Sequence, residues 1–242
     1  IKSILSGKDG TVFKSIAWNA VNRPLEKVLN KNNKRLFNAA GKMKLNEWHG
    51  QKNIEFIIED ISIDTPKPNE VLVQTKASGV CRSDLHYIQG NYSHDLPVVL
   101  GHEVAGVVEK VGANVTYVSP GDAVVGCLSI FCGRCERCLE GNPALCLRDP
   151  MWGLLRSEND KPQLYKDKET INQFLRLSSF AEMMLIHENA LVKVDPEVPF
   201  EQLALIGCSV TTGLGAVLKT ARIEAGSTVA VIGCGGVGLS AI

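Results

Sequence analysis

The sequence predicts a mixed β and α/β chain: a compact, barrel-type β region with a cysteine-rich lobe, then the truncated start of a doubly wound domain. Three observations carry this prediction. Short runs of strand formers, punctuated by proline and glycine, fill residues 54 to 128. Four cysteines fall inside fifteen residues, at Cys132, Cys135, Cys138 and Cys146. The β-branched run Thr228–Ile232 leads directly into Gly233-Cys234-Gly235-Gly236-Val237-Gly238.

The strands come first. Ile54–Glu59, Glu70–Ala77, Ala105–Val111 and Ala123–Cys127 are bounded by Pro66, Pro68, Gly112, Pro120 and Gly121. Several short strands between such turn signals suit a sandwich or barrel. Residues 147 to 179 are polar and aperiodic, so the sequence predicts a long loop there, of the kind that is functional or disordered in compact domains. Strands resume at Phe180–Ile186 and Ala190–Val194. Phe200–Ile206 and Thr212–Ala221 carry helix-like apolar spacing, and Thr228–Ile232 reads as the first strand of the nucleotide-binding sheet.

The cysteine cluster is spaced x2, x2, x7 around Gly133 and Gly141. Four thiolates so close together can converge on one tetrahedral ion, and four sulfurs close its shell, which marks a structural zinc site. Two disulfides of a secreted domain are the competing reading, but the first thirty residues lack the apolar h-region of a signal peptide. An iron–sulfur cluster also uses four cysteines, though the x2, x2, x3-Pro run of bacterial ferredoxins is absent.

Of the other four cysteines, Cys81 opens Cys81-Arg82-Ser83-Asp84-Leu85-His86, and Gly101-His102-Glu103 follows between valine-rich stretches. Cys208 lies in Ile206-Gly207-Cys208-Ser209. Two thiolates and one imidazole form a three-ligand zinc set that leaves the fourth position for water or substrate. Taken singly these signals are weak, since a lone buried cysteine is usually a small hydrophobe. Cys127 and Cys234 have no ligand spacing and read as packed thiols. His49, His94 and His187 stand alone, and His102-Glu103 lacks the second histidine of a metalloprotease motif.

In the glycine-rich stretch, Gly233 makes the tight turn, Gly235 lets the backbone approach a pyrophosphate, and Gly238 packs helix on strand. The pyrophosphate then sits at a helix N-terminus. The acidic residue expected about 20 positions later would lie beyond Ile242.

With these pieces together, the sequence resembles the zinc-dependent alcohol dehydrogenases of the medium-chain dehydrogenase/reductase family, from about Lys44 to the last residue. The matching motifs are G-V-C-R-S-D-L-H at 79–86, L-G-H-E at 100–103 and P-G-D at 120–122. The four-cysteine lobe, L-I-G-C-S-V-T-T-G at 205–213 and G-C-G-G-V-G at 233–238 follow in the same order. The resemblance implies a GroES-like catalytic domain at 44–195 with a structural zinc lobe at 128–147. Before it lies an atypical basic extension at 1–43, and after it the incomplete start of a Rossmann-type NAD(P)-binding domain at 196–242. It implies two Zn2+ per chain: a catalytic ion on Cys81, His102 and Cys208, and a structural ion on Cys132, Cys135, Cys138 and Cys146. Asp84 matches the carboxylate behind the ligand histidine, and Glu103 the glutamate near the zinc. Ser83 and His86 match the proton relay, Arg82 a pyrophosphate contact and Thr212 a residue beside the nicotinamide. Gly233, Gly235, Gly236, Val237 and Gly238 match the cofactor-binding turn, with NAD favoured over NADP.

The chemistry can also be argued directly. Zinc lowers the pKa of bound water from about 15.7 to roughly 7 in favourable sites and acts likewise on an alcohol. A nicotinamide then accepts the hydride, with the protein supplying placement and electrostatics. Ser83 could take the proton and pass it to His86, an imidazole being suited to a shuttle. A local Asx hydrogen bond is the plain alternative for Asp84, a turn residue for Ser83 and a surface histidine for His86. A non-catalytic zinc-binding structural or interaction protein is the alternative function. The zinc-free quinone reductase branch is disfavoured by the two ligand sets.

At 242 residues and 45% apolar content the chain is expected to be globular, with no 18-residue apolar stretch and hence no membrane span. The expected partner is a small alcohol or aldehyde rather than nucleic acid or a membrane, and the full-length enzyme is expected to be a homo-oligomer. Reduced thiols point to the cytoplasm. The net charge of zero is unevenly spread: residues 1–46 hold ten Lys/Arg and two Asp/Glu, a segment of +8 against −8 for the rest. That basic arm leaves organellar targeting open. The repeated Lys-x3-Trp at Lys14–Trp18 and Lys44–Trp48 suggests a doubled first strand, a targeting arm, or a non-native join filled by the Lys/Asn-rich residues 27–42, the last being favoured. A doubly wound domain needs about six strands, so the sequence reads as a fragment of a longer enzyme.

Overall fold

The structure is a computed structural model that describes residues 2–6, 12–17, 41–48, 51–58, 61–147, 156–157 and 160–242. Its centre is a five-stranded antiparallel sheet made from segments whose side chains alternate. In β6 (Glu70–Gly79), Val71, Val73 and Thr75 are buried while Gln74 and Lys76 face out, which is the two-residue period of a half-buried strand. β6 pairs with β8 (Glu103–Val111) and β12 (Met183–His187), and β9 (Ala123–Gly126) joins β8 to β13 (Leu191–Lys193), giving the order β12-β6-β8-β9-β13. The register slips between Leu72 and Val73 and again between Thr75 and Ala77. Such irregularities bend a strand and increase its twist, so the sheet curls around its core. That core is Val71, Val73, Val104, Val108, Val124, Leu177, Met184 and Ile186.

A second sheet has the order β5-β10-β11-β7, from Ser62–Ile63, Leu164–Lys166, Glu169–Gln173 and Val98–Val99. It corrects the expectation of a structureless loop over 147–179. The hairpin β10–β11 shows only Leu164 and Ile171 fully buried, too few apolar positions for a visible period. Residues 148–155, 158 and 159 of that stretch lie outside the described residues.

The N-terminal strands form two antiparallel hairpins, β1 (Lys2–Ser6) with β2 (Val12–Ala17) and β3 (Gly41–Trp48) with β4 (Gln51–Ile58). A parallel pairing of β2 with β4 joins them in the order β1-β2-β4-β3. The two Lys-x3-Trp repeats thus begin on β2 and β3. Trp18 and the Lys/Asn-rich residues 27–40 lie outside the described residues.

Three elements position the site. The short helix α1 (Arg82–Ile88) follows β6 directly and was not expected from the sequence. A four-residue helix, α2 (Glu136–Leu139), lies inside the cysteine lobe. The two predicted helical stretches merge into one helix, α3 (Phe200–Thr220). Leu203 and Ala204 of α3 pack with Ala105 and Val125 of the central sheet. Gly207 allows the helix to come close: a Cβ there would run into the carbonyl of Gly126.

Two expectations need correction here. Thr228–Ile232 is not a strand, and Ile232 is fully exposed. The β-branched run is suited to a sheet, but no strand among the described residues pairs with it. By length and composition alone α3 is also apolar enough to cross a membrane. Its polar residues, among them Gln202, Ser209 and Thr212, are diluted by Leu, Ile, Val, Ala and Gly, so no unbroken apolar run announced it.

Candidate metal centres

β6 delivers the chain to Cys81, and α1 turns it back at once. The helix start is fixed by Asp84, whose Oδ2 accepts the Cys81 N–H at 3.0 Å. The other oxygen, Oδ1, accepts the Gly101 N–H at 3.1 Å and lies 3.1 Å from His102 Nδ1. Asp84 is wholly buried and His102 is 1% exposed. A carboxylate can only accept, so Nδ1 carries a proton towards Asp84, and Nε2 is the ring nitrogen that can offer a lone pair to a metal once its own proton is displaced. Gly101, with φ +94°, makes the turn that brings His102 to the head of β8.

The third donor arrives from α3. Cys208 lies in a widened turn, where the Val210 N–H reaches back five residues to the Leu205 carbonyl. Such π-type turns recur at functional positions. Cys208 Sγ ends 3.5 Å from His102 Nε2. Ligand atoms of Cys81, His102, Glu103 and Cys208 all lie within 4.8 Å of one another. A tetrahedral zinc with arms of about 2.3 Å to sulfur and 2.05 Å to nitrogen puts S and N about 3.6 Å apart, so this donor set fits.

The protonation of the site also suits a cation. Hydrogen bonds from Cys208 and His102 pull the Cys81 thiol down to about 3. Burial opposes a charge on His102, but Asp84 and the Cys81 thiolate raise it to about 10. Cys208 is pushed up by its bond to Cys81 and by burial, and Glu103 by burial and the charge of Cys81. The cluster therefore holds protons that a divalent ion would displace on binding. Gly79 stands opposite Glu103 in the β6–β8 register, and a Cβ there would collide with the Glu103 carboxylate.

In the lobe, Gly133 and Gly141 adopt φ of +70° and +81° and fold the chain tightly around the four cysteines. Sulfur separations are 3.5 Å for Cys135–Cys138 and 3.9 Å for Cys132–Cys138 and Cys135–Cys146. A tetrahedral zinc–thiolate site demands about 3.8 Å, and a disulfide only about 2.05 Å. The spacing suits one ion and excludes two bridges. Backbone N–H groups of Arg134 and Cys135 point at Cys132 Sγ from 3.4 and 3.2 Å, and that of Cys132 at Cys146 Sγ from 3.3 Å. Hydrogen bonds from the Leu147 and Cys138 backbone hold Cys135 at about 6, while burial and the Cys135 sulfur push Cys138 to about 11. The lobe is moored to the barrel by the side-chain amide of Asn189, which donates to the Phe131 carbonyl at 2.7 Å.

Other expected site residues are less closely gathered. Ser83 hydrogen-bonds to the Cys81 thiol. His86 is half-buried, with Nδ1 at 3.1 Å from Asn91 Nδ2 and its ring beside Tyr92. Arg82 and Thr212 are exposed. Gly233 adopts φ +103°, and Gly235 precedes a four-residue helix, α4 (Gly236–Leu239). Gly233, Gly235, Gly236 and Val237 are exposed and Gly238 is half-buried, tight against the Gly233 carbonyl. Cys127 and Cys234 stand outside both clusters. Sequence reasoning missed Phe174, which is fully buried with its ring 5.6 Å from that of His102. It lies in the stretch read as loop, and only the tertiary fold brings it there.

Comparison with known proteins agrees with this architecture. Residues 67–196 match the family described as alcohol dehydrogenase GroES-like domain. The chain is 36% identical to an alcohol dehydrogenase zinc-binding domain protein from Burkholderia ambifaria, with TM-score 0.70, covering 85% of this chain and 55% of that one. It is 34% identical to benzyl alcohol dehydrogenase from Acinetobacter calcoaceticus, with TM-score 0.67, covering 85% and 54%. Against alcohol dehydrogenase TADH from Thermus sp. ATN1 the identity is 28% and the TM-score 0.62, covering 84% and 53%. The chain thus spans about half the length of the solved structures it matches. A curled five-stranded sheet, a four-cysteine lobe and this family match lead to one conclusion: the chain belongs to the zinc-type alcohol dehydrogenases of the medium-chain dehydrogenase/reductase family, through its alcohol dehydrogenase GroES-like domain.

Proposed function

We propose that this chain is the metal-holding, alcohol-binding part of a zinc-dependent, NAD(P)-linked oxidoreductase. The observation that carries the reading is the convergence of Cys81, His102 and Cys208, with Asp84 orienting the imidazole. Cys81, His102 and Cys208 hold the catalytic ion and leave a position for substrate; Cys132, Cys135, Cys138 and Cys146 hold a structural one. When bound, zinc would supply Lewis acidity towards an alcohol oxygen and NAD(P) would supply a hydride acceptor. Ser83, beside Cys81, takes the hydroxyl proton. His86 lies one helical turn further along α1 and carries that proton towards solvent. Glu103 is a buried carboxylate within reach of the same ion. Arg82, Thr212 and the turn Gly233–Gly238 belong to the cofactor side. The Acinetobacter relative is named for benzyl alcohol, and the ring of Phe174 beside His102, with Tyr87 packed edge-on against it, makes an aryl alcohol the first substrate to try.

The exposed glycine turn, and Thr228–Ile232 with no strand partner among the described residues, favour a second reading for the chain by itself, a zinc-binding structural protein without turnover. Zinc content of the purified chain separates the two. Two ions, falling to about one in Cys208→Ala and to about one in Cys135→Ala, support the oxidoreductase site. A single ion, lost with Cys135 and indifferent to Cys208, overturns it.

A further inference from the structure

We propose that the hydroxyls of Ser78 and Ser179 are positioning groups for the segment that carries His102 and Glu103, bracing it through bonds separate from those of Asp84. The proposal rests on the reading of Cys81, His102 and Cys208 as a metal site.

Ser78 Oγ donates to the Glu103 carbonyl at 3.0 Å, and Ser78 Oγ and Ser179 Oγ are 2.7 Å apart. A serine has one proton to give. That of Ser78 is committed to the carbonyl, so Ser179 donates to Ser78 and the pair forms a directed chain, Ser179 to Ser78 to Glu103. Ser179 is 1% exposed. Its backbone N–H also bonds the Gly101 carbonyl at 3.0 Å, and the next N–H, of Phe180, bonds the Leu100 carbonyl at 3.0 Å. Residues 100, 101 and 103 are therefore each tied to the 179–180 segment or to Ser78, while Asp84 ties residues 101 and 102 from α1. The approach is close enough to need glycine at 101, since a Cβ there would lie 2.5 Å from Ser179 Oγ and 2.6 Å from the Phe180 nitrogen.

The turn that delivers Ser179 is itself held in an unusual form. Leu175, Arg176 and Ser178 have φ of +48°, +61° and +59°, a region that non-glycine residues enter at a cost. It is pinned by the Phe174 N–H on Ser178 Oγ at 2.9 Å and by the Leu177 and Ser178 N–H groups on the Phe174 carbonyl. Phe174, at the head of the turn, sets its ring edge-on to His102. Backbone strain concentrated beside a ligand histidine is expected where the geometry of that ligand is being enforced.

The test is metal affinity site by site, measured on the 242-residue chain by chelator competition and by the absorption spectrum after cobalt substitution. Ser179→Ala and Ser78→Ala are expected to weaken the ion lost in Cys208→Ala by about tenfold or more, the usual effect of removing an outer partner of a ligand. They should shift its cobalt spectrum, leave the ion lost in Cys135→Ala unchanged, and see affinity restored in Ser78→Thr, which keeps the hydroxyl. Equal affinities in the alanine variants and the parent chain overturn the brace alone. Parallel weakening of both ions overturns it too, because the effect is then general damage to the fold. A parent chain with no ion dependent on Cys208 overturns the metal reading and the brace together.

Discussion

The guanidinium of Arg156 grips the carboxylate of Glu70 through two hydrogen bonds, Nε to Oε1 at 2.9 Å and Nη2 to Oε2 at 2.5 Å. Its remaining N–H groups reach Asp64 Oδ2 at 2.6 Å, the Lys161 carbonyl at 2.7 Å and the Thr65 carbonyl at 3.0 Å. All five donors are engaged, on a side chain only 6% exposed. The fork fastens the chain returning from the cysteine lobe to the foot of β6. Arg156→Met leaves Glu70 buried opposite nothing cationic, and a loss of about 3 kcal/mol is expected from breaking such a pair. Arg156→Lys should recover little of it, because an ammonium cannot reproduce the planar fork. Urea midpoints at constant m-value check both.

The same clasp sets an acid limit. Burial pushes Asp64 up, but hydrogen bonds from Arg156, the Thr65 backbone and Lys161 outweigh it, and the carboxyl is held below its ordinary value. A depressed folded pKa gives stability that is present above the unfolded value of about 3.9 and is lost as pH falls through the folded one. Unfolding free energy should decline below about pH 4. In Arg156→Met this part of the decline should shrink, as read from urea titrations between pH 7 and 3.

A histidine governs a higher window. Burial holds His187 below its ordinary value against the opposing charge of Glu70, its cross-strand partner. Its Nδ1 accepts the Asn189 N–H at 3.1 Å, which needs the unprotonated ring. Once pH drops below about 6.5 the unfolded chain binds a proton that the folded one refuses, so stability falls with a slope of up to about 1.4 kcal/mol per unit. His187→Gln keeps an acceptor and should flatten the stability profile between pH 7 and 5. An unchanged slope would sink this assignment.

Asp84→Asn is the sharpest probe of the proposed metal site at Cys81, His102 and Cys208. Each carboxylate oxygen faces an N–H, Cys81 on one side and Gly101 with His102 on the other. An amide must turn its NH2 towards one of them. Affinity for the ion held with Cys208 should fall about 10–100-fold, with the four-cysteine ion untouched, as chelator competition would show.

Much of this was legible in the sequence because the chemistry is written locally. The four lobe cysteines lie within one short loop, and the strands at Glu70, Ala105 and Ala123 announce themselves as short runs of strand formers between proline and glycine turns. Their structural ends differ by up to two residues. The other candidate ligand set is scattered, with Cys81 and Cys208 standing 127 positions apart, and only its motifs connected it. What stayed hidden was non-local. α1 is seven residues long with a cysteine before it in place of a usual capping residue. Hairpin β10–β11 exists because Ile63 and Val98 lie on either side of it. Thr228–Ile232 shows the converse: a strand-like composition makes no strand without a neighbour.

The contact between Gly207 and the Gly126 carbonyl sets α3 at a fixed stand-off from the barrel, and Cys208 is the next residue along. The distance from Cys208, the third proposed ligand, to Cys81 and His102 is thus gauged by backbone against backbone, not by side chains that could repack. For the lineage this makes the cage brittle at one point and forgiving elsewhere. Neighbouring side chains can drift while the bore is kept, but any substitution at Gly207 alters the bore first. A variant lost there would look like a catalytic defect in a mutational survey, although residue 207 has no side chain with which to do chemistry.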